Sequence, residues 1–229
     1  MIKAIIFDLD DTLYPEYEYV KSGFLTVSSL LKEKFGIEDG YKKLLAAFAH
    51  DTKNVFDAVL QEENVAFDDK DISELVAAYR QHYPRDIRFF DGTDDVLKKL
   101  RADGIKLGVI TDGRTDTQKL KIEALEVESY VDCVIITDSL GGEQFRKPSP
   151  IAFEKMLAYF KIKPENAVYV GDNPRKDFAI KQYMPINTVR LIKHEGLYRD
   201  REYKFGIKPD IIIEDIGEIL NYERFFGRD

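Results

Sequence analysis

Two carboxylates two positions apart, Asp8 and Asp10, close the run Ile5-Ile6-Phe7-Asp8-Leu9-Asp10-Asp11-Thr12. An apolar, β-branched run that stops abruptly in acid is poorly suited to packing and well suited to holding a hard cation. Alternation keeps Asp8 and Asp10 on one side of a strand end, with Thr12 two further on. Such a pair can supply a carboxylate nucleophile and an acid/base group around one bound ion. The plainer reading of the same residues is an acidic loop that follows a strand.

Three later segments repeat the pattern of a buried run ending in reactive groups. Gly108-Val109-Ile110 leads into Thr111-Asp112-Gly113-Arg114. A hydroxyl followed by a glycine turn can offer an O–H and backbone N–H groups to phosphate oxygens. A helix beginning near Thr115 adds its positive end. Arg146-Lys147-Pro148-Ser149-Pro150 follows Gly141-Gly142, and its prolines hold Lys147 in place as a point charge for a phosphoryl group or a carboxylate. Tyr169-Val170 ends in Gly171-Asp172-Asn173-Pro174-Arg175-Lys176-Asp177. Asp172 is a natural second carboxylate for magnesium, which is usually held by one or two carboxylates plus waters and substrate oxygens. Asp177 suits a supporting place around it. Taken singly, these are a turn with a helix cap, a surface lysine and an Asx-type cap; taken together, they fall at the ends of successive strands.

The elements that must position these residues are legible in the apolar pattern. Strands are expected at Lys3–Phe7, Lys106–Thr111, Cys133–Thr137, Ala167–Val170, Thr188–Ile192 and Asp210–Ile213. They are mostly Val and Ile without polar alternation, as strands buried on both faces require. Helices are expected at Thr93–Ala102, Thr115–Leu125, Pro150–Phe160, Lys176–Tyr183 and Ile216–Phe225. This alternation predicts an α/β fold with a doubly wound parallel sheet, whose sites lie beyond the carboxyl ends of the strands. From Glu16 to Phe90 no strand is expected, and the apolar residues follow helical spacing, as in Phe24, Val27, Leu30 and Leu31. That block is too long for a loop. It reads as an inserted all-helical domain, 16–90, that covers the carboxyl end of the sheet formed by 1–15 and 91–229.

Composition narrows the classes. The chain has 229 residues, 44% hydrophobic and 33% charged, with a net charge of −8. A general basic surface for nucleic acid is therefore not expected. A local cation still permits an anionic substrate in one cleft. The lone cysteine, Cys133, lies in the apolar run Cys133-Val134-Ile135-Ile136 and reads as a core strand residue. The N-terminal apolar stretch is too short for a signal peptide, and no run is long enough to span a bilayer, so a cytoplasmic protein is expected. Candidates for contacts to a leaving group are Tyr14, Tyr17, Tyr19, Phe24, His50, Arg80, His82, Arg85 and Arg88, with Tyr14 and Tyr17 foremost because they follow the first strand. His194 reads as a surface residue.

The four segments together resemble the haloacid dehalogenase superfamily, mainly its phosphatases. Asp8 to Thr12 resembles the first family motif, Thr111 the second, Lys147 the third and Asp172 to Asp177 the fourth. The helical insertion falls where the family places its C1-type cap. One position departs: many relatives carry asparagine where this chain has Asp112. Either Asp112 points away from an anion, or Arg114 or Lys147 offsets it.

The resemblance implies a Rossmann-like core and a mechanism. Asp8 would attack phosphorus to form an aspartyl-phosphate that water then cleaves. Asp10 would protonate the leaving alkoxide and later deprotonate the water. Mg²⁺ would be held by Asp8, the Asp10 backbone carbonyl and Asp172, with Asp177 and Thr12 in support. Thr111, Asp112, Gly113 and Lys147 would bind the transferring oxygens, the last also acting in catalysis. A dehalogenase of this family expels a halide, which needs neither a proton nor magnesium, so Asp10 and Asp172 point to phosphoryl transfer. A small phosphorylated metabolite is expected as substrate, such as a sugar phosphate, a nucleoside monophosphate or a phosphoglycolate-like acid, with no nucleic acid or membrane partner, and the protein as monomer or homodimer. The alternatives are a phosphomutase of the β-phosphoglucomutase type and a non-catalytic module that binds a phospho-ligand.

Overall fold

The structure, a computed structural model, describes residues 1–193 and 202–227; His194 lies outside them. The chain divides into two compact units, Met1–Pro15 with Arg88–Asp229, and Glu16–Ile87.

The first unit opens with β1 (Ala4–Phe7), whose four residues are all buried. The second unit then contributes α1 (Glu16–Phe35), α2 (Gly40–His50), α3 (Val55–Glu62) and α4 (Asp69–Gln81). Its described residues contain no strand. The first unit resumes with α5 (Thr93–Ala102), β2 (Lys106–Thr111), α6 (Thr115–Ala124), α7 (Val127–Tyr130), β3 (Cys133–Ile136), α8 (Ile151–Phe160), β4 (Ala167–Gly171), β5 (Asn187–Leu191), β6 (Ile211–Ile213) and α9 (Tyr222–Phe226).

The six strands form one sheet of order β3-β2-β1-β4-β5-β6, and every pairing is parallel. β1 lies in the interior, with Phe7 opposite both Val109 of β2 and Val170 of β4. Asp8 therefore leaves β1 beside the ends of both neighbours, and its N–H donates to the Val170 carbonyl at 2.8 Å. The chain reverses order at this interior strand, where open α/β sheets place their sites. On one face Ala4, Ile6, Ala167 and Tyr169 pack with Phe153, Met156 and Leu157 of α8. Gly108 permits the close approach, because a Cβ there would lie 2.7 Å from the Met156 sulfur. α5 also packs on β2 and meets the 3₁₀ turn Ile216–Asn221.

The edge strands are less buried than the all-apolar pattern implies. Cys133 sits on β3 as expected but is only partly buried, because β3 has a neighbour on one side alone. Two helical expectations shorten. Lys176–Tyr183 forms only a 3₁₀ turn at Phe178–Gln182, because residues 173–177 make a hydrogen-bonded loop: the Asn173 N–H donates to Asp177 Oδ2. Ile216–Phe225 begins as the 3₁₀ turn, capped by Asp215 and Glu218, before α9. The four-residue α7 has too little apolar periodicity to be expected from sequence.

The four helices of Glu16–Ile87 enclose their own core of Phe24, Val27, Leu31, Leu44, Phe56, Val59, Leu60 and Leu75. The Phe24 ring meets Phe48, Phe56 and Tyr79 at 5.7–6.4 Å between centroids. On the chain flanking this block, the Phe90 N–H donates to the Leu13 carbonyl at 2.9 Å. Phe89 packs edge-on against Tyr130, which ties residues 88–90 to the sheet unit.

Candidate active site

The carboxyl ends of β1, β2 and β4 carry the acidic and basic groups that the sequence singles out. Asp8 is buried, and its Oδ1 accepts the Leu9 N–H at 2.8 Å. Its Oδ2 lies 2.8 Å from the Lys147 ammonium and 3.7 Å from that of Lys176. Burial pushes the Asp8 carboxyl up to about 6 against the pull of these two lysines.

Lys147 is buried, as its proline-flanked loop requires, and the Lys147–Pro148 peptide is cis. Its ammonium donates to the Tyr169 hydroxyl at 2.7 Å and pairs with Asp177 at 3.0 Å. Burial works to lower the Lys147 pKa, but the Asp177 and Asp8 carboxylates outweigh it and raise it. Tyr169 in turn donates to Asp177 at 3.2 Å. Gly171 makes room for this arrangement: a Cβ there would fall 2.5 Å from Asp177 Oδ2.

Asp8, Asp172 and Asp177 bring carboxylate oxygens within 4.8 Å of one another, all three buried. Hard oxygen donors at this spacing suit a divalent cation. Both Asp177 oxygens are engaged, by Lys147 and Tyr169 on one side and the Asn173 N–H on the other. Asp8 and Asp172 are thus the better placed to take an ion. Burial, then the carboxylates of Asp177, Asp8 and Asp11, hold Asp172 well above the usual carboxylate range, a repulsion that a cation would relieve. Thr12 is fully buried, and its hydroxyl oxygen has no hydrogen-bond partner among the described residues.

Asp112 resolves the question its charge raises. Its Oδ1 accepts from the Thr137 hydroxyl and from the Lys147 backbone N–H, both at 3.0 Å, and its Oδ2 pairs with Lys176 at 3.3 Å. Burial would raise its pKa, but Lys147 and Lys176 together bring it below the usual range. Arg114 does not take part; it forks onto Asp116. Asp112 therefore braces the lysine loop and holds Lys176 beside Asp8. Gly113 sits in the turn at φ +137°, a conformation that glycine adopts without strain.

Asp10 is partly buried and sits in a separate knot. Its Oδ1 accepts from the Tyr14 hydroxyl at 2.5 Å and from Lys121 at 2.6 Å; its Oδ2 accepts from Gln118 Nε2 at 2.9 Å. Burial acts to raise its pKa, yet Lys121, Tyr14 and Gln118 prevail and lower it. The left-handed Asp11, at φ +52°, makes the turn that brings Tyr14 back to Asp10. Tyr14 is fully buried, and its hydroxyl is committed to Asp10. So placed, Tyr14 braces the Asp10 carboxylate. Thr111 is fully buried at the end of β2, and its Oγ1 accepts from Gln118 at 2.5 Å.

Sequence reasoning missed Gln118, Lys121, Tyr169 and Lys176 as members of the site. Gln118 and Lys121 share the buried stripe of α6 with Ile122, and polar residues at apolar spacing were the available signal. Within the helical unit, Phe24 is buried in the core, the buried Tyr19 and His82 lie against each other and against Tyr79, and Tyr17 stacks on Phe48 at the surface. A cavity of about 330 Å³ in that unit is lined by Phe24, Phe48, Val55, Tyr79 and Arg80.

A family model described as haloacid dehalogenase-like hydrolase matches residues 5–190. A glyceraldehyde 3-phosphate phosphatase of Methanocaldococcus jannaschii is 32% identical over 208 residues, spanning 88% of this chain and 89% of the relative. The pyrophosphatase PpaX of Anoxybacillus flavithermus is 25% identical over 225 residues and 96% of each chain. Among solved structures, the HAD-hydrolase YfnB of Bacillus subtilis, bound to magnesium, superposes with a TM-score of 0.65 at 18% identity, covering 96% of this chain and 97% of that one.

Proposed function

The chain belongs to the haloacid dehalogenase-like hydrolases, and on that premise we propose that it is a magnesium-dependent phosphatase of a small phosphorylated metabolite, working through an aspartyl-phosphate. The observation that carries this reading is the buried Asp8 carboxylate, set against Lys147 and within one cluster with Asp172 and Asp177. Relatives named for glyceraldehyde 3-phosphate and for pyrophosphate support a small, phosphate-bearing substrate.

Asp8 attacks phosphorus, and the bond to the leaving oxygen breaks. Asp10, held ionised in the free protein by Lys121, Tyr14 and Gln118, takes up a proton beside the anionic phosphoryl group, gives it to the leaving alkoxide, and then accepts one from the water that cleaves the aspartyl-phosphate. Lys147, Thr111 and the N–H groups around Asp112 and Gly113 hold the transferring oxygens. Lys147 is kept aimed by Tyr169 and Asp177. The Asp8 and Asp172 carboxylates and the Asp10 backbone carbonyl would hold Mg²⁺. Bound there, the ion would offset the repulsion between an anionic nucleophile and an anionic phosphate. These groups address only the phosphoryl end common to every substrate.

The test is hydrolysis of p-nitrophenyl phosphate by the wild type and by Asp8→Asn, with and without Mg²⁺. Metal-dependent release of phosphate that Asp8→Asn abolishes is expected. Turnover that survives the substitution would overturn the assignment. A requirement for a bisphosphate activator would instead mark a phosphomutase.

A further inference from the structure

We propose that Lys121 and Gln118 are positioning residues: they lock the acid/base group Asp10 to the phosphoryl-binding hydroxyl of Thr111 as one rigid unit. This inference rests on the phosphatase reading above. Both residues are buried, and they lie one helical turn apart on α6. A buried lysine is uncommon unless paired. Here its partner is a carboxylate to which the mechanism assigns a proton.

The bonds divide the work between the two oxygens of Asp10. Oδ1 accepts from both Tyr14 and Lys121, which fills its two lone pairs. Oδ2 accepts from Gln118 alone among the described residues, so one lone pair remains there to carry the proton. The same Gln118 nitrogen donates to Thr111 Oγ1. With an acceptor site of that hydroxyl filled, its proton is free to be donated to a phosphoryl oxygen. One amide thus sets the spacing between the group that grips the phosphoryl oxygens and the atom that handles the proton. Gly113 leaves room for the link, since a Cβ there would lie 3.2 Å from Gln118 Cγ at a φ that disfavours any side chain.

The two positioning residues should separate in their kinetics. Lys121 holds Asp10 Oδ1 in place while its charge also keeps that carboxyl low, so removing it makes Asp10 easier to protonate, and a loss of rate reads lost position, greatest where the leaving oxygen needs a proton. Gln118 acts through both partners, so removing it should also weaken the grip on the phosphoryl group. The experiment measures kcat and KM on two aryl esters of similar shape. Phenyl phosphate releases a basic phenolate, and p-nitrophenyl phosphate releases a stabilised one that leaves unprotonated. The variants are Lys121→Met, Gln118→Met, Asp10→Asn and the double variant Asp10→Asn with Lys121→Met.

For Asp10→Asn, kcat/KM on phenyl phosphate should fall by roughly 100-fold, as for loss of a general acid. Lys121→Met should lower it about 10-fold on phenyl phosphate and by less than about 3-fold on p-nitrophenyl phosphate, a fraction of that general-acid effect. Adding Lys121→Met to Asp10→Asn should cost clearly less than Lys121→Met costs alone, because residues acting as one unit are not additive. Gln118→Met should raise KM on both esters. An equal loss on both esters for Lys121→Met, a full further loss in the double variant, or a gain in activity would overturn the proposal while leaving the phosphatase reading intact. Absence of wild-type turnover on either ester would overturn both.

Discussion

The two units of this chain bury different things. The sheet unit buries charge: Asp8, Asp177, Lys147 and Lys121 all lie below the surface with named partners. The helical unit buries rings: Phe24 and Phe56 lie in its core, the partly buried Phe48 and Tyr79 meet them edge to face, and the buried charged or amide side chains of the sheet unit have no counterpart among its described residues, where Ser22 and His82 are the buried polar side chains. Buried charge is sustained only by specific partners at specific distances, so each residue is tied to its neighbours. Buried rings are held by volume and tolerate similar shapes. The sheet unit is therefore expected to lose chemistry before it loses structure, and the helical unit the reverse.

Substitutions can break this contrast. Asp8→Asn should lower kcat by roughly 10³-fold or more, as for loss of a nucleophile. Thermal unfolding of the same variant should show a Tm equal to or above that of the wild type, because burial disfavours the ionised carboxylate. A Tm that drops along with activity would show that Asp8 also holds the fold. Phe24→Ala, in the other unit, should lose about 3–5 kcal/mol of stability in a denaturant titration. A loss below about 1 kcal/mol would mean that the aromatic cluster is loosely packed, and the contrast would fail on that side.

Smaller effects sharpen it. On the proposed function magnesium would bind the ionised form of Asp8, whose pKa is raised to about 6. Protons compete below that value and not above it. Affinity measured by calorimetry should therefore be about 10-fold weaker at pH 5 than at pH 8, with protons released on binding. Affinity independent of pH over this range would place the ion away from Asp8. Last comes Asp112→Asn, which removes a negative charge beside the phosphoryl site and keeps the shape. KM should fall by about fivefold, equivalent to about 1 kcal/mol. A rise in KM would show that pairing with Lys176 matters more to binding than the repulsion it removes.

Much of the sheet unit is legible in sequence because its strands are apolar runs that end in acid. Asp8 and Asp172 stand out as residues with no packing reason to follow Phe7 and Gly171, and Lys147 as a charge fixed just ahead of Pro148 and Pro150. Gln118 and Lys121 are hidden for the opposite reason: on a helix they read as a solvated face, and only the fold turns that stripe inward. The tie of Tyr14 to Asp10 is not legible in sequence, because it depends on the left-handed Asp11, which turns the ring back toward that carboxylate. Lys176 stands in plain view between Asp172 and Asp177, yet its role depends on Asp112, which arrives from another strand. The helical spacing of residues 16–90 shows that unit's class, but not which of its many rings are free to meet a substrate.

The hydrogen bond between Phe90 and Leu13 has an evolutionary reading. Where the chain departs from the sheet unit and where it returns, the two backbones are already joined. The excursion between them is thus a closed loop whose length places little demand on the sheet, since the cost of closing a loop grows only slowly with its length. A lineage could exchange the whole excursion for a longer, shorter or differently folded one without disturbing Asp8 and its neighbours.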